Sequence, residues 1–300
     1  MTAIITEKFR QHNATQFFES FSEASATVYY LMIGKSMPFT SGTSGGSDDS
    51  PPTPADDISS EFYTWDSAIA AKKITTSNIS KVIPRRDWAN STTFDMYENN
   101  ISASNTTTSG ATNIFDSTFY FRTSDNRVYL VLDNNGGSAY SGAEPTSEST
   151  SSFVLGGYTL KYLYTISASQ QATFMTTDFM PVSTDSTVSA AATDGAIESV
   201  IVTNTGSGLT NGTYYAAVYG DGTSQGTSSG AIVKITVSSN VISAVSTGNT
   251  GVQQAGAGYT FGTVNLGSGY TFSDTSLSSA SAIGGSGAAI SVVISPKGGH

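Results

Sequence analysis

Glycine interrupts short runs of Val and Ile throughout the last third of this 300-residue chain. Short β-branched runs bounded by glycine are typical of strands joined by turns, and they leave little uninterrupted sequence for long helices. Charged residues make up only 12% of the chain, and Ser, Thr and Asn are abundant in their place. Because these polar residues hydrogen-bond the nearby backbone in non-helical conformations, the sequence predicts strands and loops.

An internal repeat lies within the glycine-rich part. Five positions recur 45 residues later, namely Ile197, Val200, Asn204, Thr205 and Gly206. Four more recur 50 residues later, namely Gly208, Thr210, Gly212 and Thr213. Two copies of strand, glycine turn and strand predict a small β module made of two similar halves, since two units are too few for a solenoid. We therefore expect three parts: residues 1–193, an inserted repeat region at 194–294, and a terminal tail at 295–300.

The first part begins with an amphipathic pattern. Ile5, Phe9, Phe17 and Phe21 recur at spacings of four and eight, which predicts a helix over residues 4–22. Val28–Ile33 is continuously apolar and predicts a buried strand. Residues 40–60, rich in Pro, Ser and Gly, predict a loop, and residues 58–72 a short helix.

A strong hairpin pattern follows further along the chain. Residues 118–122 and 127–132 are rich in aromatic and aliphatic side chains and flank Asp125-Asn126, which tolerates left-handed backbone. Residues 158–166 and 179–182 predict two more strands. The fold class is therefore α+β and strand-rich, with an N-terminal helix, antiparallel β-sandwich-like parts and the inserted β module.

Several classes of function are disfavoured by composition. The formal net charge is −10, and only three of the thirteen Lys and Arg residues follow Arg127, so nothing favours contact with nucleic-acid phosphates. There is no N-terminal signal peptide pattern and no apolar run long enough for a membrane span. We expect neither nucleic acid nor a membrane as a partner.

The residues needed for catalysis or metal binding are also scarce. The chain has no Cys and only two His, His12 and His300, which removes thiolate sites and leaves no convincing Ser-His-Asp site. The acid pairs Asp48-Asp49 and Asp56-Asp57 lie in the predicted loop, where solvated turn residues are the usual explanation. Asp221, between two glycines, is better explained by a turn than by calcium. We predict a non-enzyme without cofactor or metal, against the alternative of a glycan hydrolase with paired acids.

The segment Val82-Ile83-Pro84-Arg85-Arg86-Asp87-Trp88 concentrates charge in a chain otherwise poor in it. One interpretation is an intramolecular Arg–Asp pair with Trp88 filling the core. The other is an assembly contact, because Arg and Trp are enriched at interface hot spots. The candidate contact residues are Arg85, Arg86, Asp87 and Trp88.

Four segments together resemble the baseplate wedge proteins of T-even-like contractile-tailed phages, in particular the dimeric subunit at the baseplate periphery. They are residues 3–10, 32–39, 82–88 and 158–166, in the same order as in that family. The Val82–Trp88 motif is the most distinctive of them, and the resemblance covers about residues 1–185. The Ser-, Thr- and Asn-rich, charge-poor composition resembles that of the family members found in cyanophages.

The resemblance implies a structural, non-catalytic homodimer that contacts other baseplate wedge proteins and uses no cofactor. It implies a location in the virion tail baseplate, after assembly in the host bacterial cytoplasm. Two departures stand out: residues 194–294 have no counterpart in the T-even pattern, and the chain ends before the family's second β domain would be complete. The alternative function is a phage fibre or adsorption protein that binds surface glycans through the repeat region.

Overall fold

The computed structural model describes residues 7–34, 68–98, 101–220, 230–244, 252–264, 266 and 283–295. The chain divides into two compact units, Met1–Lys81 and Val82–His300. The predicted segments at 40–60 and 295–300 lie outside the described residues, apart from Ser295.

The described residues of the first unit contain one α-helix and one strand pair. Its elements are α1 (Glu7–Glu19), β1 (Tyr29–Gly34), β2 (Ala68–Ile74) and a 3₁₀ turn (Thr76–Asn78). Phe17, Phe21 and Tyr29 form an aromatic group in which neighbouring ring centroids lie 4.6–5.2 Å apart. This group joins α1 to the start of β1. The bounds of α1 confirm the predicted helix over most of its length.

Two expectations for the first unit are wrong. The predicted strand at Val28–Ile33 forms, but it is exposed rather than buried, with Leu31 56% and Ile33 57% accessible. The part of the predicted helix at 68–72 is instead strand β2, which pairs antiparallel with β1. Pairing with β1 overrides the local helical preference of Ala and Lys in β2.

The second unit contains thirteen described strands and two described short helices. They are β3 (Val82–Pro84), β4 (Tyr120–Arg122), β5 (Arg127–Asp133), β6 (Phe153–Leu155), β7 (Tyr158–Thr165), α2 (Ala168–Phe174), β8 (Phe179–Pro181), α3 (Ser186–Ala191), β9 (Ile197–Ser207), β10 (Gly212–Tyr219), β11 (Ile232–Ser238), β12 (Val241–Ala244), β13 (Val252–Gln254), β14 (Thr263–Val264) and β15 (Ser286–Ile294).

The central sheet of the second unit has the order β4-β5-β7-β6, and all of its pairings are antiparallel. The predicted hairpin is confirmed as β4 and β5, with Asn126 at φ 64° in the turn. Both faces are buried: Phe121 and Tyr129 lie in one hydrophobic cluster, whereas Tyr120 and Val128 lie in another. Burial on both faces explains why these strands are almost continuously apolar.

The repeat region forms its own sheets. One has the order β12-β11-β10-β14, with β13 also on β11, and β9 pairs separately with β15. A single hydrophobic cluster with members from Ile197 to Ile294 joins the two sheets. The other two clusters contain only residues before 194, so the cores separate where the sequence predicts a boundary. That boundary and the β-sandwich layout both stay predictions.

A largely buried ion pair links the two cores. Lys161 of β7 and Glu198 of β9 approach to 2.7 Å, with side chains only 11% and 16% exposed. Ser295, just after β15, donates its hydroxyl to the same Glu198 carboxylate, and its amide donates to Ala196 O at 2.8 Å. The first and last strands of the repeat region are therefore fixed to the central sheet at one place.

Candidate assembly site

The backbone of the Val82–Trp88 motif joins two sheets. Its first three residues form β3 and pair antiparallel with β8. Immediately afterwards Asp87 makes a parallel bridge to Arg122 of β4: Arg122 N donates to Arg86 O at 2.7 Å, and Trp88 N donates to Arg122 O at 2.8 Å. The motif therefore extends the edge of the central sheet while its beginning belongs to the β3–β8 pair.

Asp87 binds two arginines. Its carboxylate lies 2.8 Å from Arg85 and 2.7 Å from Arg122. Arg85 also donates to Thr176 O at 3.1 Å, in the turn before β8. Partial burial acts to raise the pKa of the Asp87 carboxyl, but hydrogen bonds from Arg85 and Arg122 outweigh it and hold that pKa below its usual range. These side chains reinforce the backbone connection between the two sheets.

Arg86 fixes a neighbouring turn. Its Nη2 donates to the carbonyl oxygens of Phe115 at 3.1 Å and Asp116 at 2.9 Å, and its guanidinium lies over the ring of Tyr120. The Arg86 Nε is buried and has no hydrogen-bond partner in the part of the chain that the structure describes. Asn113 closes the turn through two side-chain hydrogen bonds with Asp116.

The turn held by Arg86 exposes two apolar residues. Ile114 is 44% accessible and Phe115 is 62% accessible, although their backbone is held by the contacts just described. An exposed apolar pair on a fixed turn loses little conformational entropy when another surface covers it. Its arrangement therefore suits contact with a protein surface.

Trp88 faces inward. It is half-buried, packs against the cluster of Phe121 and Tyr129, and meets the ring of Tyr140 edge-on at 5.8 Å between centroids. Its indole N–H is buried and makes no hydrogen bond among the described residues. The geometry of Trp88 and of the Arg85–Asp87 pair thus matches the intramolecular interpretation, and a role of these residues in assembly stays a prediction.

Asp95 is an important residue that sequence reasoning missed. It is 1% accessible, and its carboxylate accepts hydrogen bonds from Ser109 N, Ser109 Oγ, Ser117 Oγ and Thr118 N at 2.6–3.1 Å. These donors flank the turn that carries Phe115. Burial acts to raise the pKa of Asp95, but the hydrogen bonds outweigh burial and lower it. No sequence motif marks an aspartate whose partners lie 14 to 23 positions away.

Within the described residues, groups suited to catalysis are not brought together. His12 is exposed on α1, and no cluster of three or more His, Asp or Glu residues suited to a metal occurs within the described ranges. Both acid pairs, Asp221 and His300 lie outside the described residues. Gly208, with a φ of 66°, directly follows β9, where a turn glycine is predicted. Gly206, with a φ of 72°, lies within β9, so the prediction of a turn is wrong for this glycine. Among the described helices, none is long and apolar enough to cross a membrane.

Comparison with known proteins confirms the resemblance over residues 3–135, whereas the segment at 158–166 lies beyond the match. Residues 3–135 match the model of a family described as "Bacteriophage T4, Gp8". A curated relative, "Baseplate wedge protein gp8" of Enterobacteria phage T4, is 30% identical over 96 residues, which cover 32% of this chain and 28% of the relative. The chain thus aligns with little more than a quarter of that relative's length. The family match includes the Val82–Trp88 motif and ends before the repeat region.

Replacing Asp95 tests whether it stabilises the loop that carries Phe115. We expect Asp95→Asn to lower the free energy of unfolding at pH 7 by roughly 2 kcal/mol, because charged hydrogen bonds to a buried acceptor are lost. A carboxyl with a lowered pKa stabilises the fold above its unfolded pKa of about 3.9, and that contribution is lost as pH falls through the folded pKa. The gap between variant and wild type, measured by urea unfolding, should therefore shrink below about pH 4.

Asp178→Asn is the control, because Asp178 is exposed. It should leave stability at pH 7 nearly unchanged. An Asp95→Asn chain as stable as wild type at pH 7 would contradict the role given to this carboxylate.

Proposed function

We propose that this chain is a structural subunit of a contractile phage tail baseplate and acts through contacts with other wedge proteins. The observation that carries the proposal is the family match over residues 3–135. The matched relative is a baseplate wedge protein of phage T4. The scarcity of proton-transfer and metal-binding groups in the described residues agrees with a mechanical role.

Imaging of the phage particle tests this proposal. A small tag fused to the chain, located by electron cryomicroscopy of intact particles, should add density at the baseplate in a copy number set by its symmetry. Tag density in the capsid or along a fibre would contradict the baseplate assignment. A particle lacking the tag altogether would contradict a structural role in the virion.

We place one assembly contact at the Val82–Trp88 motif and the turn it supports. The exposed chemistry there comes from Asp87, whose side chain is 45% accessible, and from Ile114 and Phe115. Arg86 and Trp88 contribute by holding these groups in place. Apolar groups surrounded by charged side chains are typical of the centre and rim of protein interfaces.

A substitution of Phe115 distinguishes a loss of assembly contact from a loss of folding stability. Phe115→Ser removes an exposed side chain, so we expect its melting temperature to stay near that of wild type while association with co-expressed baseplate proteins of the same phage weakens at least tenfold. Arg86→Ala should weaken association as well, because the turn loses its anchor. Phe261→Ser, at a 48% accessible position in the repeat region, is the matched control. Normal association of Phe115→Ser would refute the contact.

We further propose that two copies of the chain dimerise through β1. Tyr30, Leu31 and Ile33 are 56–65% accessible, and Ile69 of β2 is 64% accessible. An isolated two-stranded ribbon is marginally stable in water, and an exposed apolar edge strand tends to pair with another strand. Among the described residues, β1 pairs only with β2, which leaves its outer edge open.

The charge pattern favours a second copy at the edge of β1. This strand contains no charged residue, so two β1 strands can pair antiparallel across a two-fold axis without repulsion. Strand β2 contains Lys72 and Lys73, and two β2 edges would bring like charges together. The open edge of β1 is therefore the better surface for self-association.

A lysine in β1 tests the dimer interface. Leu31 lies near the middle of the strand, so Leu31→Lys places two positive charges close to the two-fold axis, and we expect the dimer dissociation constant to rise at least tenfold in sedimentation equilibrium. Ala71→Lys, on β2, is the control and should dimerise normally. A Leu31→Lys chain that dimerises as wild type would exclude β1, whereas a monomeric wild-type chain would exclude the homodimer itself.

The glycan-binding alternative gains no support from the repeat region's buried tyrosines. Tyr214 and Tyr259 are 8% and 2% accessible. The Tyr259 hydroxyl donates to Val218 O and accepts from Ala231 N. These rings are part of the core, so they offer no surface on which a sugar could stack.

A further inference from the structure

The two halves of the repeat region correspond in backbone conformation as well as in sequence. The first half, residues 194–238, contains β9 to β11, and the second half, residues 239–294, contains β12 to β15. Gly195 and Asn240 are 45 positions apart, precede the first strand of their halves and have φ values of 65° and 63°. Gly208 and Gly258, 50 positions apart, have φ values of 66° and 75°. Left-handed backbone thus recurs at equivalent positions.

The loops of the two halves bind each other's turns. Leu209 N of the first half donates to Asn240 O of the second at 3.0 Å. Tyr259 N of the second half donates to Gly195 O of the first, also at 3.0 Å. Leu209 and Tyr259 occupy corresponding positions and are 1% and 2% accessible. Each half therefore inserts its buried loop residue beside the turn of the other half.

The outer strands are exchanged in the same way. The first strand of the first half, β9, pairs with the last strand of the second half, β15, and places Ile197 opposite Ile294. The first strand of the second half, β12, pairs with the last strand of the first half, β11, and places Ile242 opposite Val237. The middle strands, β10 and β14, pair with each other. The symmetry is approximate, because β10 also pairs with β11.

Both halves contribute to one core, although most of its buried members belong to the first half. One hydrophobic cluster contains Ile197, Val200 and Leu209 from the first half and Ile242, Tyr259 and Ile294 from the second. Separating the halves would expose this cluster and break the pairings β9–β15, β11–β12, β11–β13 and β10–β14. In a two-fold interface the same surface is used by both partners, which is the arrangement seen here between halves.

We propose that the repeat region is an internal dimer: the surface of each half is complementary to a second copy of that half, and one chain supplies both copies. The halves interlock through exchanged strands and loops and unfold together. Two independent tandem units would instead unfold separately. This inference concerns the repeat region, residues 194–294, alone and holds or fails independently of the baseplate function.

Hydrogen exchange of the full chain tests the crossed contacts. A Cβ at Gly195 would lie 2.5 Å from Tyr259 N, and the φ of 65° disfavours any side chain there. We expect Gly195→Ala, in the first half, to speed exchange of the Tyr259 amide at least tenfold while the Leu209 amide stays protected. Asn240→Ala removes the 2.8 Å hydrogen bond from Asn240 Nδ2 to Leu209 O, so it should release the Leu209 amide and spare that of Tyr259. Effects confined to the substituted half would overturn the proposal.

A cleavable turn provides a second test that does not depend on a destabilising substitution. A protease site inserted between Ser239 and Asn240, in the turn joining β11 to β12, permits a single cut of the folded full chain between the halves. We expect the cut chain to keep the native mass of the intact protein and to separate only in denaturant. Separation of the two fragments in native buffer would show that the halves are not interlocked.

Discussion

The shared carboxylate of Asp87 fixes the junction between the β3–β8 pair and the central sheet. It joins Arg85, beside β8, to Arg122 on β4. Between Pro84 and Asp87 the backbone passes from an antiparallel pairing with β8 to a parallel bridge with β4. Although the chain has few charged residues, three of them lie at this junction, where the positions of two sheets are fixed relative to each other. An apolar contact would give attraction without the same directionality.

Other polar contacts of the second unit also use a single charged side chain to hold several backbone groups. Asp95 accepts hydrogen bonds from donors at both ends of one loop, and Arg86 donates to carbonyl oxygens at the tip of that loop. Surface salt bridges contribute little, but hydrogen-bonded charges shielded from water fix conformation more strongly. The exposed apolar side chains Ile114 and Phe115 are thereby held in a defined position. A surface prepared in this way suits repeated, geometrically defined contacts in a large assembly.

The sequence predicted the strands well where both faces are buried, as in β4, β5 and β7, because continuous apolar runs leave few alternatives. It failed for β2, whose Ala and Lys residues have helical preference and become strand only through pairing with β1. It also failed for the burial of β1, since an apolar run looks the same whether this chain or another molecule covers it. In the Val82–Trp88 motif, composition marked the segment, but only the fold shows that Trp88 faces the core. Asp95 was invisible because its partners are distant in sequence.

The ion pair between Lys161 and Glu198 attaches the repeat region to the central sheet at a fixed point. Strands β9 and β15 leave this point together, and eleven residues of β9 extend over about 35 Å. A force applied across these strands at their far end would act on β7 as a torque. The strands would be the lever arm, and the ion pair would lie near the point of rotation. Since the pair is mostly shielded from solvent, dissolved salt would weaken this pivot only slightly. A load on the repeat region would therefore reach the central sheet through β7 at this ion pair.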